Sequence, residues 1–338
     1  MNNFKKIGLT ALAASLVSVS ANAGEISVAG GASINVEGFS GEQLDAGKAY
    51  TMGNQLTFSG SGELDNGLTV SVSFVLDQGD DAAAAGAASG GSAPFDSHSV
   101  TVSSDTMGSL KFMGEGGSTA ANAIDGSAAG DIWDKFDGLT NASGQTGNGL
   151  ATTDSVTATA GNNAFIYTSP ELMEGLTLVG SYAPQASSAE TRASGTGIGA
   201  NYTGIDGLTL KFAKADIVNS TKALSGEQTV MYASYAYGPV TVSYSNFEGD
   251  LDTADKDYEL TSFAVSYTVS DELSLTYGME DAEQEGSTAD AEYETLSLSY
   301  VTGGMTISAG MHEAENANFG TDSNQDIEKW TLGASFAF

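Results

Sequence analysis

Residues 65–76 read Asp65-Asn66-Gly67-Leu68-Thr69-Val70-Ser71-Val72-Ser73-Phe74-Val75-Leu76, a turn triplet followed by a run of alternating character. Successive side chains of an extended chain point to opposite sides. Leu68, Val70, Val72, Phe74 and Leu76 therefore share one face, and Thr69, Ser71 and Ser73 share the other. An alternation of two residues is the signature of a strand with one apolar face, and Asn-Gly is turn chemistry.

Working outward in both directions, the same pattern recurs at 26–37, 50–62, 67–77, 97–104, 108–114, 163–169, 175–183, 195–203, 207–215, 228–237, 239–247, 259–269, 273–280, 292–301, 305–312 and 327–338, sixteen segments in all. Every second connection is a tight turn: Asp65-Asn66-Gly67, Ser104-Asp105-Thr106, Pro170 to Gly175, Gly204 to Gly207, Gly238-Pro239, Ser270-Asp271-Glu272 and Thr302-Gly303-Gly304. The connections between them are longer and polar. A soluble β-sandwich has alternating strands but no reason to keep long and short connections in sequence. A sheet facing lipid must also have no free edge, because each unpaired backbone group in hydrocarbon costs several kcal/mol. The expected fold is all-β: a transmembrane antiparallel β-barrel of about 16 strands, with short periplasmic turns and long extracellular loops.

The N-terminus carries Lys5 and Lys6, then an apolar run from Ile7 to Val19 and the small triplet Ala21-Asn22-Ala23. This is the layout of a signal peptide spanning residues 1–23, leaving a barrel domain over 24–338. The apolar run falls short of the ~20 residues a spanning helix needs, and no other stretch approaches that length. Losing Lys5 and Lys6 leaves nine basic residues of 11 against 43 acidic ones, a net charge of −34. Such a surface repels nucleic acid. With no cysteine, neither a disulfide framework nor a thiolate metal site can form. High charge together with much Gly, Ser and Ala resembles a disordered composition. The concentration of apolar residues in short alternating segments argues for strands instead.

The last segment places Trp330, Leu332, Ala334, Phe336 and Phe338 on one face and stops at Phe338. Tyr182, Tyr202, Tyr235, Tyr237, Tyr267 and Tyr300 lie near strand ends, where an interfacial aromatic girdle is expected.

On these residues the chain resembles the Gram-negative general porins, a family of sixteen-stranded trimeric channels. The likeness is most specific in Asn163-Ala164-Phe165-Ile166-Tyr167-Thr168-Ser169-Pro170 followed by Gly175-Leu176, in Met107-Gly108-Ser109-Leu110-Lys111-Phe112-Met113-Gly114, and in the terminal strand ending at Phe338. The resemblance implies an outer-membrane location and a homotrimer, to which outward small residues such as Gly30 and Ala32 would contribute close packing between barrels. It also implies that the barrel-assembly machinery reads Trp330, Leu332, Phe336 and Phe338 as an insertion signal. In the family, the first two motifs flank a third external loop that folds into the barrel. Here that connection, 115–162, is the longest in the chain. Two departures matter: Glu115 stands where the family usually has Arg, and Ala160 where it often has Arg. The family's cluster of wall arginines is therefore absent at these positions.

Other chemistry fits poorly. The only histidines, His98 and His312, have no nucleophile-elbow sequence nearby, which argues against a hydrolase and leaves interfacial or loop histidines as the plain reading. Gly195-Thr196-Gly197-Ile198-Gly199 lacks the helix and acidic partner of a dinucleotide loop. The run from Asp250 to Asp257 has Asp255 where an EF-hand needs Gly and is a solvated acidic loop with weak divalent-ion binding as its minor reading. Residues 81–93 form an Ala/Gly-rich external loop.

The expected function is passive diffusion of small hydrophilic solutes and ions through a water-filled lumen bounded by outer-membrane lipid, with no cofactor and no catalytic residue. The alternative is a non-conducting barrel serving as scaffold, receptor or adhesin. By strand parity Lys111, Lys211 and Lys329 point inward as pore-wall charges, while Glu115, Asp125, Asp131, Asp134 and Asp137 of the long connection form an acidic constriction that favours cations. Trp133 and Phe136 are placed to pin that loop to the wall.

Overall fold

The computed structural model describes residues 26–41, 47–77, 97–115, 120–121, 127–136, 139–140, 146–147, 163–184, 194–217, 225–253, 257–321 and 326–338. Sixteen antiparallel strands close into one barrel. In chain order they are β1 (Ile26–Gly41), β2 (Gly47–Glu63), β3 (Thr69–Asp77), β4 (Ser97–Ser104), β5 (Gly108–Glu115), β6 (Ala164–Thr168), β7 (Leu176–Ala183) and β8 (Gly195–Tyr202), then β9 (Leu208–Ile217), β10 (Gly226–Tyr237), β11 (Val240–Leu251), β12 (Tyr258–Thr268), β13 (Leu273–Gln284), β14 (Ala291–Thr302), β15 (Met305–Glu315) and β16 (Ile327–Ala337). Each strand pairs with its neighbours in sequence, and β16 returns to β1 in a ladder running from Gly31↔Ala337 to Gly41↔Ile327. The sheet therefore has no edge, as lipid requires.

The seam is completed at the chain end. Gly30 N–H donates to the Phe338 carbonyl at 2.7 Å, and Phe338 N–H donates back to the Gly30 carbonyl at 3.0 Å. A β-carbon on Gly30 would strike the Phe338 ring, so the space above Gly30 is filled by the chain's own last residue. This corrects the expectation that Gly30 is free for packing against another barrel. The Trp330 indole lies over Gly38 in the same way. Glycine is needed for a different reason at Gly108, which opens β5 at φ 76° with the Thr168 carbonyl oxygen in the place a β-carbon would take.

The strands run further than sequence periodicity suggests, reaching Gly41, Leu251, Gln284 and Glu315 in β1, β11, β13 and β15. Along β9 to β16 the reason is a reversal of polarity. From the tight turns to mid-strand the outward residues are apolar, up to the cross-strand row Tyr277, Leu296, Met311 and Trp330, and the inward ones are mostly Ser and Thr. Toward the loop end the outward positions become carboxylates: Glu294, Glu313 and Glu328 lie in register, as do Asp281, Glu292 and Glu315. The inward positions there become apolar and buried, including Phe247, Leu260, Ala282, Tyr293, Ala314 and Ile327. Like charges directly opposite one another are unfavourable and are tolerable only where water screens them. The upper strand ends therefore stand outside hydrocarbon, and a single-polarity reading stops too early. Lengthened strands also shorten three of the long connections, 42–46, 252–257 and 285–290, to five or six residues, below the seven of the turn at 169–175. The expected alternation in length is thus a trend with these three exceptions.

His312 lies well inside β15 and not at its end: it is inward and buried, with Nδ1 2.7 Å from the Thr295 hydroxyl and Nε2 3.1 Å from that of Thr331. It is neither a loop nor an interfacial residue.

Removing Phe338 deletes both seam hydrogen bonds and the ring over Gly30. The deletion variant is expected to reach the periplasm at the normal level but to insert into the membrane less. Fractionation with heat-modifiability gels measures this, and normal insertion would count against it.

Candidate functional site

Residues 127–136 of the long connection between β5 and β6 lie inside the barrel, against the inner faces of β11 to β14 and β16. The sheet register prepares the surface they meet. Ser245 of β11 is opposite Ser262 of β12, which is opposite Glu280 of β13, which is opposite Tyr293 of β14, all pointing inward in one row.

The loop presents backbone N–H groups to this row. Ala128 N–H donates to Ser245 Oγ at 2.8 Å, Ala129 N–H to Ser262 Oγ at 2.8 Å, and Trp133 N–H to Glu280 Oε2 at 3.1 Å. The Ser127 hydroxyl donates to Glu280 Oε1 and accepts from Gly130 and Asp131 N–H at 2.9 and 2.7 Å. That uses its one donor and both lone pairs. The tight turn it stabilises puts Asp131 in the left-handed region at φ 52°, a conformation Asp tolerates better than most residues. Past the turn, a 3-10 turn at Trp133–Phe136 buries Ile132, Trp133 and Phe136, with the Phe136 ring 5.8 Å from that of Tyr293. Burial of each of these side chains stabilises the docked loop by roughly 2–3 kcal/mol. At its far end the Lys135 carbonyl accepts from Lys329 Nζ at 2.8 Å.

The expected site residues divide into those the loop carries, those on the wall, and those outside the described residues. Asp131 is half-buried and Asp134 exposed, both on the docked segment. Burial pushes the Asp131 carboxyl above its ordinary value of 3.8. Asp125 and Asp137 lie outside the described residues. Glu115 is the last residue of β5, in register with His98 past a β-bulge. Lys111 is inward between Thr101 and Ile166 and exposed. Lys211 is inward with Nζ 4.8 Å above the Tyr232 ring.

Lys329 differs from the expected free wall charge. Its Nζ is 2.8 Å from Glu37 Oε2 and 4.9 Å from the Phe39 ring centroid, with only 10% of its side chain exposed. It is a neutralised clamp on the loop. Trp330, Leu332, Phe336 and Phe338 face outward and are exposed, as parity requires.

Sequence reading missed Ser127, Ser245, Ser262, Glu280 and Glu37. The available signal was parity: Glu280 is a carboxylate on the inward face of a strand whose other acids, Asp281 and Glu283, face out.

Lys329→Met leaves the Glu37 carboxylate unpaired and the Lys135 carbonyl without its donor. A loss of about 3 kcal/mol follows, the lower end for a buried pair because the lumen is wet. The variant is expected to melt earlier and to be cut faster within the loop by protease. Adding Glu37→Gln is expected to recover most of the loss; a double variant as unstable as the sum of the singles would refute the pairing.

A family model described as Gram-negative porin matches residues 8–300. No curated protein matches the chain. Among solved structures, a porin refined at 1.8 Å is similar at 18% identity and TM-score 0.62, over 93% of this chain and 100% of its own. A loop-deletion variant of OmpT, an outer membrane protein of Vibrio cholerae, is similar at 14% identity and TM-score 0.65, over 94% and 100%. An anion-selective porin from Comamonas acidovorans is similar at 15% identity and TM-score 0.65, over 93% and 99%. These structural likenesses concern the fold.

Proposed function

The chain belongs to the Gram-negative porin family and forms an outer-membrane channel for solutes, and on that premise we propose that it is a cation-preferring diffusion channel narrowed by the loop docked inside its barrel. The observation that carries this reading is the placement of Asp131 and Asp134 on the docked segment while Lys329, a nearby inward cation, is tied to Glu37. Solutes pass without any covalent step and are sorted by width and charge at the narrowest level. Carboxylates in a narrow aqueous passage with low-dielectric walls concentrate cations and repel anions. Lys111, Lys211 and, on the docked segment itself, Lys135 oppose this, and the reading is that the loop acids outweigh them. We further propose cleavage of residues 1–23 on export, association as a homotrimer, and recognition of the β16 end by the barrel-assembly machinery, all from family membership and the sequence signals.

Reversal potentials in a KCl gradient test the preference. Cation selectivity is expected, strongest at low salt where screening is weak. Conversion of Asp131, Asp134 and Asp137 to Asn is expected to abolish most of it. Because burial raises the Asp131 carboxyl above 3.8, acidification neutralises that group earlier than an ordinary Asp, and the preference weakens as pH falls through that range. An anion-selective channel, or selectivity indifferent to the triple substitution, contradicts the proposal.

A further inference from the structure

We infer that Glu280 is the positioning residue that sets the width of the passage by holding the inner loop against the wall. The inference rests on the reading that this loop narrows the channel. Glu280 is 2% exposed and sits on the inward face of β13, where its neighbours on the same face are Gly278 and Ala282. Its two oxygens take three donors: the Ser127 and Ser262 hydroxyls at Oε1 and the Trp133 backbone N–H at Oε2. Two of these donors belong to the loop and bracket the turn at residues 127–133. One side chain therefore fixes both ends of that turn.

The wall around Glu280 is shaped for the same purpose. Gly278, two residues earlier on the same face, lacks the side chain that would strike Ala129, whose β-carbon lies 2.8 Å from where one would sit. Ser262 accepts the Ala129 N–H and donates its own hydroxyl to Glu280 Oε1, joining the neighbouring strand to the same acceptor. Much of the recognition is of backbone N–H groups, which leaves the Asp134 side chain exposed and Asp131 half-buried. Lys329 holds a carbonyl at the far end of the segment and Ile132, Trp133 and Phe136 hold its second half by burial, so Glu280 with Ser245 and Ser262 is what holds the turn itself. Removing the acceptor leaves buried donors unsatisfied, and each unsatisfied donor costs more than an intact hydrogen bond is worth net. Loss of Glu280 is expected to raise the undocked population of the loop on the order of a hundredfold.

The test is single-channel recording on the full-length barrel, with liposome swelling by sugars of increasing size. Glu280→Ala is expected to replace one conductance level by frequent excursions to larger ones and to admit larger sugars, while the barrel keeps its heat-modifiable form on gels. Glu280→Gln keeps an oxygen for the Trp133 N–H and is expected to restore much of the single level. The chain has no cysteine, so Ala129→Cys with Gly278→Cys can tether the loop after a small shift. Oxidising that pair in the Glu280→Ala background is expected to return one level with the original size limit, and reduction to release it. A Glu280→Ala channel with unaltered conductance and size limit overturns the inference. If a variant shortened across 127–136 is then wider, the loop still narrows the channel and only the role of Glu280 fails. If the shortened variant is unaltered too, the reading beneath it fails as well.

Discussion

Everything in this structure follows from the demand that a backbone in hydrocarbon pair all its N–H and C=O groups with itself. A sheet meets that demand only by closing, and closing requires the first and last strands to find each other across the whole sequence. The β1–β16 ladder and the reciprocal bonds between Gly30 and Phe338 are where that happens. Small residues at Gly30 and Gly38 let the Phe338 and Trp330 rings lie flat across the joint. Closure of so many strands leaves an interior too wide for wall side chains to fill. Water can fill it, and residues 127–136 of the connection after β5 lie against one side of it.

The reversal of polarity along β9 to β16 joins the membrane fit to the fit of the loop. In the lower part, lipid lies outside and water inside, so Leu, Tyr and Met face out and Ser and Thr face in. In the upper part, water lies outside and the loop inside, so Glu and Asp face out and Ala, Phe and Tyr face in. The inward apolar residues of the upper strands and Ile132, Trp133 and Phe136 of the loop form one core cluster. A channel protein thereby acquires a conventional hydrophobic core, placed eccentrically on one side of the barrel. The polar row of Ser245, Ser262 and Glu280 lies at the edge of that core and fixes the loop's register on the wall.

The strand count, the order of turns and the inward parity of Lys111, Lys211 and Lys329 were legible in the sequence, because alternation and turn chemistry are local. Strand ends were not, because Glu280-Asp281 looks like the end of a strand when outward residues are assumed to stay apolar. Which residues hold the loop was illegible for a deeper reason. Ser245, Ser262 and Glu280 come from three strands, and only cross-strand register brings them level. A lone Ser in an alternating strand carries no mark of the backbone N–H it accepts. Lys329 was legible as inward but not as neutralised, since its partner Glu37 lies at the other end of the chain.

The central claim is that a closed barrel with a docked inner loop encloses a continuous aqueous path. Single-channel recording of the purified, folded protein in planar bilayers tests it most directly. The account predicts discrete conductance steps that grow in proportion to KCl concentration, as for a water-filled passage. Folded protein that inserts fully yet carries no current at any salt concentration would contradict it.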